Sequence, residues 1–436
     1  MKKKLVAMLM CAAMVGATML TGCGGSSDEG GSDSSKDSGS ETSSDSGSSD
    51  KKYDGVELTF WSMWTNTEPQ GKVLQEAVDA FSDETGAEVT IEWKGRDIKN
   101  IVSSALEAEE KIDLFEDDYN RIGHNYVDYV ADLTEMAEAA GYADKSFAVF
   151  NDKAKEWAGF LPCITEQPQV GGIFYNQDIF EDAGVEVPTT WAEFTEVCET
   201  LKSAGYAPMA LDSTYAPFWF GYHLARYIGQ DETSRMAVEG GWSENANVAK
   251  AAEDIISFVK AGYLVDGAPD EYPASQNKMA LGDPQAAMVV CANYVTSEVN
   301  KTAGEELNWG LFNYPSVEGG VDATSAYAGA NSIAITKYSE NQQAAFDLAI
   351  YITSGEYDQK MADSAGQIPA DPSNTAPASQ NGTVEVLQNT TAPLTWNMGL
   401  NENGDLMSQI QENVVKLYEG GFATGADFAA ALDALY

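Results

Sequence analysis

The sequence predicts an α/β fold, and three observations lead there. From Tyr53 onward, short apolar runs alternate with segments whose apolar residues recur at helical spacing, which is the rhythm of βαβ units. The strand-like runs carry β-branched and aromatic residues, as in Val56-Glu57-Leu58-Thr59-Phe60-Trp61 and Val89-Thr90-Ile91-Glu92-Trp93. Beyond the N-terminal segment no apolar stretch approaches 18 residues, so these runs belong to a folded core and not to membrane spans.

The elements follow in order. After the first strand, Val73, Leu74, Ala77, Val78 and Phe81 share one helical face, and Thr85-Gly86 closes that helix. Val89–Trp93 is the second strand, a helix spans Ile98–Glu110, and Ile112–Phe115 is the third strand. Such a βαβαβ order predicts a parallel sheet flanked by helices. Gly172–Tyr175 reads as a strand and Trp191–Ala204 as a helix. Further strands are expected at Ala287–Val290 and Ser332–Ile335, with a helix over Asn341–Thr353. The C-terminal third is largely helical, with Pro369–Pro393 as an irregular, Pro- and Asn-rich connector, and no solenoid repeat is present.

A chain of 436 residues has room for two or three domains. Its 25 Lys+Arg against 68 Asp+Glu give a formal charge of −43. Nucleic acid and anionic membrane surfaces would be repelled, so neither is expected as the main partner; neutral and cationic ligands remain open. The hydrophobic content of 44% is too high for wholesale disorder.

Residues 1–22 read as an export signal, with Lys2, Lys3 and Lys4 before the apolar stretch Leu5–Leu20. Leu20-Thr21-Gly22-Cys23 resembles the lipobox of bacterial lipoproteins, which implies cleavage before Cys23 and a lipid on its thiol. Residues 24–50 hold only Gly, Ser, Thr, Asp, Glu and one Lys, so residues 23–52 are expected to form a flexible, self-repelling tether. Beyond Cys11 and Cys23 the cysteines are Cys163, Cys198 and Cys291, an odd number without C-x-x-C spacing. They imply no disulfide framework.

Motifs for catalysis are scarce. With only His124 and His223, neither a Ser-His-Asp centre nor a multi-histidine metal site has much to build on. The nucleophile-elbow, zincin, phosphate-loop and dinucleotide motifs are all missing, and no cofactor or metal is expected. Asn401–Asp405 falls short of a calcium loop, because Gly399 and Ile410 stand where its first and twelfth ligands belong. Asp117 and Asp118 follow the third strand, where they serve either as a glycosidase carboxylate pair or as hydrogen-bonding groups for a neutral polyol. Aromatic residues are more pointed. Trp61 and Trp64 close the first strand, Pro217-Phe218-Trp219-Phe220 stands in an apparent loop before a helix, Asn293-Tyr294 follows a strand and Trp396 follows the connector. Flat rings suit the apolar faces of pyranoses, while amides, carboxylates and Arg suit the hydroxyls.

Several blocks carry a resemblance: Gly184-Val185-Glu186-Val187-Pro188-Thr189-Thr190-Trp191-Ala192-Glu193-Phe194, Phe174-Tyr175-Asn176-Gln177-Asp178-Ile179-Phe180, Lys278-Met279-Ala280-Leu281-Gly282, Ile352-Thr353-Ser354-Gly355-Glu356-Tyr357 and Gly366-Gln367-Ile368-Pro369-Ala370. In this order they resemble the carbohydrate-type extracellular solute-binding proteins of bacterial ABC importers. The resemblance implies a two-lobed periplasmic-binding-protein-like fold (class II) hinged by crossover strands. Lobe 1 would comprise 53–166 plus 326–366 and lobe 2 would comprise 167–325 plus 367–436, with crossovers near Thr165–Pro168, Pro315–Ala326 and Gly366–Pro369. Ligand groups would come from Trp64, Asn66, Glu68, Arg96, Asp117, Asn120 and Arg121 in lobe 1, with Gln167 and Gln169 at the first crossover. Phe218, Trp219, Asn293 and Tyr294 would follow in lobe 2, then Tyr327, Asn331, Gln367 and Trp396. Tyr294 stands where the family often carries Trp. The implied protein is a monomeric, non-enzymatic receptor, tethered to the membrane through Cys23, that delivers a carbohydrate to an ABC permease. A surface glycoside hydrolase and a receptor for a polyamine or peptide are the alternatives.

Overall fold

The computed structural model describes residues 51–436 apart from Thr391. The expected signal (1–22), Cys23 and all of the tether before Lys51 lie outside the described residues.

Among the described residues there are nine strands: β1 (Glu57–Ser62), β2 (Glu88–Trp93), β3 (Leu114–Asp118), β4 (Cys163–Asn176), β5 (Ala207–Ala210), β6 (Ala286–Ala292), β7 (Trp309–Phe312), β8 (Ala326–Ile335) and β9 (Pro393–Leu394). Their order is β2-β1-β3-β8-β4-β6-β5, with β7 added to β4 and β9 to β8. The pairs β1/β2, β1/β3 and β5/β6 are parallel, as the βαβ rhythm predicts. The centre corrects that expectation. β8 runs antiparallel to both β3 and β4, and β4 runs antiparallel to β6 and β7, so the sheet is mixed.

The reason is the length of β4 and β8. The 14 residues of β4 reach about 45 Å at roughly 3.3 Å per residue, so one strand serves two sheet regions. Cys163–Val170 pair with β8, and Gly171–Asn176 pair with β6 and β7. Gly172 makes the crowded second half possible, since a Cβ there would sit 2.7 Å from the Phe312 carbonyl oxygen. β8 likewise meets β3 through Asn331–Ile335 and β4 through Ala328–Ala334. Two α/β lobes are thereby joined by strands that pass between them.

Helices cover the faces as their apolar spacing requires. Pro69–Thr85 starts with proline in its first turn and buries Val73, Leu74, Ala77, Val78 and Phe81 against Leu58, Phe60 and Ile333. Trp191–Ala204 opens with a reciprocal capping box between Thr190 and Glu193. The second helix ends at Glu107 and not at Glu110, because Glu109 turns left-handed at φ 50° and the Glu110 N–H closes back on the Ala105 carbonyl at 3.0 Å. Phe218 and Trp219 lie within the helix Ala216–Ile228 and not in a loop. Pro217 occupies the first turn, where a missing N–H costs nothing. The Pro369–Pro393 connector contains a short helix, Thr383–Asn389. Cys163, Cys198 and Cys291 are free and buried.

Candidate functional site

Alternation along β4 puts Gln167 and Gln169 on one face, and β8 places Asn331, Gly329 and Tyr327 beside them. Asn331 Nδ2 donates to Gln167 Oε1 at 2.8 Å, and the Tyr327 hydroxyl donates to Gln169 Oε1 at 3.1 Å. Gln167 Nε2 donates to Gln367 Oε1, which brings the chain just after the helix Gly355–Ala365 onto the same floor. Gly329 keeps this floor flat, since a Cβ there would lie 2.4 Å from the Tyr327 hydroxyl.

One cavity, of about 370 Å³, opens at the Gln167 end. Trp64 and Arg96 line it from the ends of β1 and β2, Asn293 and Tyr294 from the end of β6, and Gln367 from the chain linking the lobes. The Arg96 guanidinium lies 4.3 Å over the Trp64 ring, and Trp64 Nε1 donates to Glu166 Oε1 at 3.4 Å. Glu68 fixes Arg96 through a 2.9 Å ion pair and accepts the Thr65 N–H at 2.7 Å, so it positions Arg96 and does not present itself to the cavity. Asn293 Oδ1 accepts the Val170 N–H at 3.2 Å, which leaves its NH₂ as a donor. Burial pushes the Tyr294 phenol well above its ordinary value, so it stays protonated and able to donate.

A second cavity, of about 440 Å³, opens at the Tyr327 end. Asn120, Arg121 and Asp118 line it from the end of β3, and Trp396, Asn401 and Glu402 face them. Trp396 packs on Phe218 with centroids 4.5 Å apart at 32°, and edge-on to Tyr327 at 5.4 Å. Asp118 accepts the N–H groups of Asn120 at 3.0 Å and Arg121 at 3.3 Å, capping the helix Tyr119–Asn125. A larger hollow of about 990 Å³ lies beside Val149 and Gln230, but its cations are already paired, Lys153 with Glu156 and Arg235 with Glu232.

The structure thus gathers Trp64, Arg96, Gln167, Gln169, Asn293, Tyr294, Asn331 and Gln367 at one cavity and Asn120, Arg121, Tyr327 and Trp396 at the other. Five expected residues are placed differently. Trp219 is 0% exposed and its Nε1 donates to the Tyr314 hydroxyl at 2.8 Å, so it is a core residue with no face for a ligand. Phe218 is equally buried and backs Trp396 and Tyr327. Asp117 is 1% exposed and held by Arg121 and by the Tyr126 hydroxyl at 3.2 Å, so its carboxylate orients Arg121 and does not reach a substrate. Glu68 is engaged as described, and Asn66 is exposed but lines neither cavity. Residues missed by the sequence reading are Gln70, Ser297 and Glu298 at the first cavity and Asn401 and Glu402 at the second. Ser297 and Glu298 follow Tyr294 by three and four residues, so helical spacing from that aromatic was the available signal.

Amides that donate and accept, protonated phenols, the half-buried Trp396 indole and the Arg96 guanidinium stacked on Trp64 suit a neutral polyhydroxylated ligand, and the fold and floor together fit a two-lobed solute receptor. Residues 64–359 match the family described as bacterial extracellular solute-binding protein, and the chain belongs to that family. It is 26% identical over 204 residues to the multiple sugar-binding protein of Streptococcus mutans, a match covering 45% of this chain and 48% of that protein. It is 23% identical over 192 residues to the melibiose/raffinose/stachyose-binding protein of Bacillus subtilis, covering 43% and 42%. The matches span about half the length of these curated relatives. The fold is shared with the bacterial solute receptor AcbH, described as having an exclusive preference for β-D-galactopyranose, at a TM-score of 0.71 and 16% identity over 88% of this chain and 98% of that one. Among the described residues no helix is long and apolar enough to cross a membrane.

Proposed function

We propose that the protein is the lipid-anchored substrate-binding component of an ABC sugar importer, which captures an oligosaccharide between its lobes and delivers it to a membrane permease. The observation that carries this reading is the amide and phenol floor of Gln167, Asn331, Gln169 and Tyr327, with the Trp396 indole at one end and Arg96 stacked on the buried Trp64 at the other. Two cavities set end to end along it favour a ligand of more than one sugar unit. The names of the two curated relatives support the same ligand class.

Lobe 1 is 53–166 plus 326–366 and lobe 2 is 167–325 plus 367–436, joined through β4, β8 and Gly366–Pro369. Closure about these links brings Trp64 and Arg96 toward Asn293 and Tyr294, so groups from both lobes touch the ligand only in the closed state. A micromolar Kd needs about −8 kcal/mol, within reach of two stacking platforms and several hydrogen bonds. Binding is the whole task. The engaged state of Asp117 argues against a glycosidase, and the neutral floor argues against a polyamine. Cys23 carries the lipid and the acidic tether holds the monomeric body off the membrane.

Thermal shift with mono-, di- and oligosaccharides, peptides and polyamines tests the reading. A ligand at 100 times its Kd adds about 2.7 kcal/mol, a shift of some degrees. A sugar hit recovered uncleaved is expected. Recovery of shorter sugars would establish an enzyme, and a hit confined to polyamines or peptides would overturn the ligand class. Partition into detergent by the wild-type chain and not by Cys23→Ser checks the anchor.

A further inference from the structure

Two acidic side chains lie buried behind the Trp64 platform, and ligand capture as described makes no use of them. Glu116 on β3 is 0% exposed, and Glu166, 3% exposed, sits where the β4/β8 register shifts between Thr165 and Gln167. Glu116 Oε2 accepts the Ser62 hydroxyl at 2.8 Å and the Met63 N–H at 2.6 Å, while Glu166 Oε1 accepts the Trp64 indole N–H. The other two oxygens, Glu116 Oε1 and Glu166 Oε2, have no donor. The two carboxyl groups converge on one loop, Glu116 holding Ser62 and Met63 and Glu166 holding Trp64, which sets them side by side in the interior. As two carboxylates they would repel across a dry interior with an orphaned acceptor on each side. One proton between them satisfies both orphans, because a protonated carboxyl donates to its neighbour and the resulting bond is charge-assisted.

We propose that Glu116 and Glu166 share a single proton, and that this proton-linked pair is a positioning element of the carbohydrate site, holding the Met63-Trp64 loop and with it the indole and carbonyl on which Arg96 rests at one end of the cleft. The proposal rests on the sugar-receptor reading for its consequence and on the buried pair alone for its chemistry. Both glutamates hold their carbonyl-side oxygens on the loop that supplies the platform, and Glu166 is chain neighbour to Gln167 on the floor. Charged groups facing the pair are few. Arg96 approaches from the cleft and favours the ionised form of Glu166, while Asp358 of the helix Gly355–Ala365 opposes it. Burial outweighs these and pushes both carboxyls up, Glu166 to about 7 and Glu116 well above its ordinary value, where repulsion from Glu166 adds to the effect. Loss of the proton above neutrality sets two like charges against each other and pushes apart the carboxylates that hold the loop. Affinity for a neutral sugar should then fall as pH rises, although the sugar itself does not titrate.

Infrared spectroscopy of the ligand-free protein reads the proton directly. A protonated-carboxyl carbonyl band is expected at neutral pH, weakened in Glu116→Gln and in Glu166→Gln; if neither variant alters the band, the shared proton is refuted. Should a variant fail to fold, the pH titration of that band in the wild type, compared with indole fluorescence of wild type and Trp64→Phe, decides the same point. The indole signal must move with the band and be missing in Trp64→Phe; an indole signal that ignores the band refutes the positioning role. With raffinose as probe, wild-type Kd should weaken at least about threefold between about pH 5.5 and about pH 8, and Glu166→Gln should flatten the profile. An unchanged slope in Glu166→Gln refutes the link to binding. Failure of raffinose and every other sugar to bind at any pH would instead refute the receptor reading, while the infrared and fluorescence results still decide the pair.

Discussion

Arg226 and the Glu116–Glu166 pair are both buried ionic groups, and the protein treats them in opposite ways. Arg226 is fully enclosed, yet each of its nitrogens has a partner: Asp322 at 2.9 Å, Asn313 Oδ1 at 3.1 Å, the Ser325 carbonyl at 2.8 Å and the Tyr314 carbonyl at 2.9 and 3.2 Å. These bonds pin the chain between β7 and β8, so the guanidinium serves as an internal brace. The glutamate pair has two oxygens without donors and sits behind a cleft residue. A buried charge satisfied by fixed donors and acceptors is architecture, whereas a buried pair beside a site that needs a proton to be satisfied is held there against a cost, and that contrast separates fold from function in this molecule.

The brace gives the largest expected effect. Arg226→Ala removes the guanidinium from Asp322, Asn313 and the Tyr314 and Ser325 carbonyls together, and should cost about 3–5 kcal/mol in denaturant unfolding. Sugar affinity of the folded fraction should be unchanged, because Arg226 lines neither cavity. A loss of affinity with intact stability would break the comparison at its architectural end.

Two tryptophans draw the same line at a smaller scale. Trp219→Ala should cost about 3–5 kcal/mol of stability through its cavity and the lost bond to the Tyr314 hydroxyl, which keeps only His223 as partner, and leave Kd of the folded protein alone. Trp396→Ala, at a half-buried platform, should cost about 2 kcal/mol of binding, about thirtyfold in Kd by calorimetry, with little change in stability. The reverse pattern would place the platform elsewhere.

Acidity separates the two clusters by sign. Burial raises both glutamates, repulsion from Glu166 adds to it at Glu116, and burial raises Asp358 to about 6, so the folded state binds these protons more tightly than the unfolded chain does. Their contribution to stability is full below the unfolded carboxyl value of about 4.3 and is lost as pH rises through about 6 to 7. Asp322 behaves oppositely. Burial raises it, but the Ser325 and Thr324 amides and Arg226 outweigh burial and hold it below its ordinary value. Its contribution is present above about 3.9 and lost as pH falls through its depressed value. Melting temperature should therefore decline from about pH 5 to about pH 8, and Glu166→Gln should remove part of that decline. An equal decline in the variant would assign it to other carboxyls.

Much of the fold was legible because apolar runs mark buried strands: β1, β2, β6 and the helix Trp191–Ala204 fall within a residue or two of their expected bounds. β4 was legible only from Gly172 to Tyr175. Its first half reads Glu166-Gln167-Pro168-Gln169, and Gln167 and Gln169 face the cleft, so hydrophobic patterning fails where the strand becomes a binding floor. Strand-end aromatics located Trp64, Tyr294 and Trp396, but nothing in the order Phe218-Trp219 says that neither ring reaches a cavity. Glu116 and Glu166 were invisible among 68 acidic residues, since burial, not identity, distinguishes them.

The smallest effect tests how far the cleft depends on surface electrostatics. Glu68→Gln removes the charge that pairs with Arg96 but keeps an oxygen able to accept from Thr65. The pair is half-exposed, so its strength is about 0.2–1 kcal/mol and screened by salt. Arg96 also donates to the Met63 carbonyl and lies over Trp64, and these two contacts should hold it in place. Sugar Kd should rise by less than about fivefold, and the difference should shrink at high salt. A loss comparable to Trp396→Ala would mean that Glu68 itself reaches the ligand on closure, and that the boundary between bracing and binding residues moves when the lobes shut.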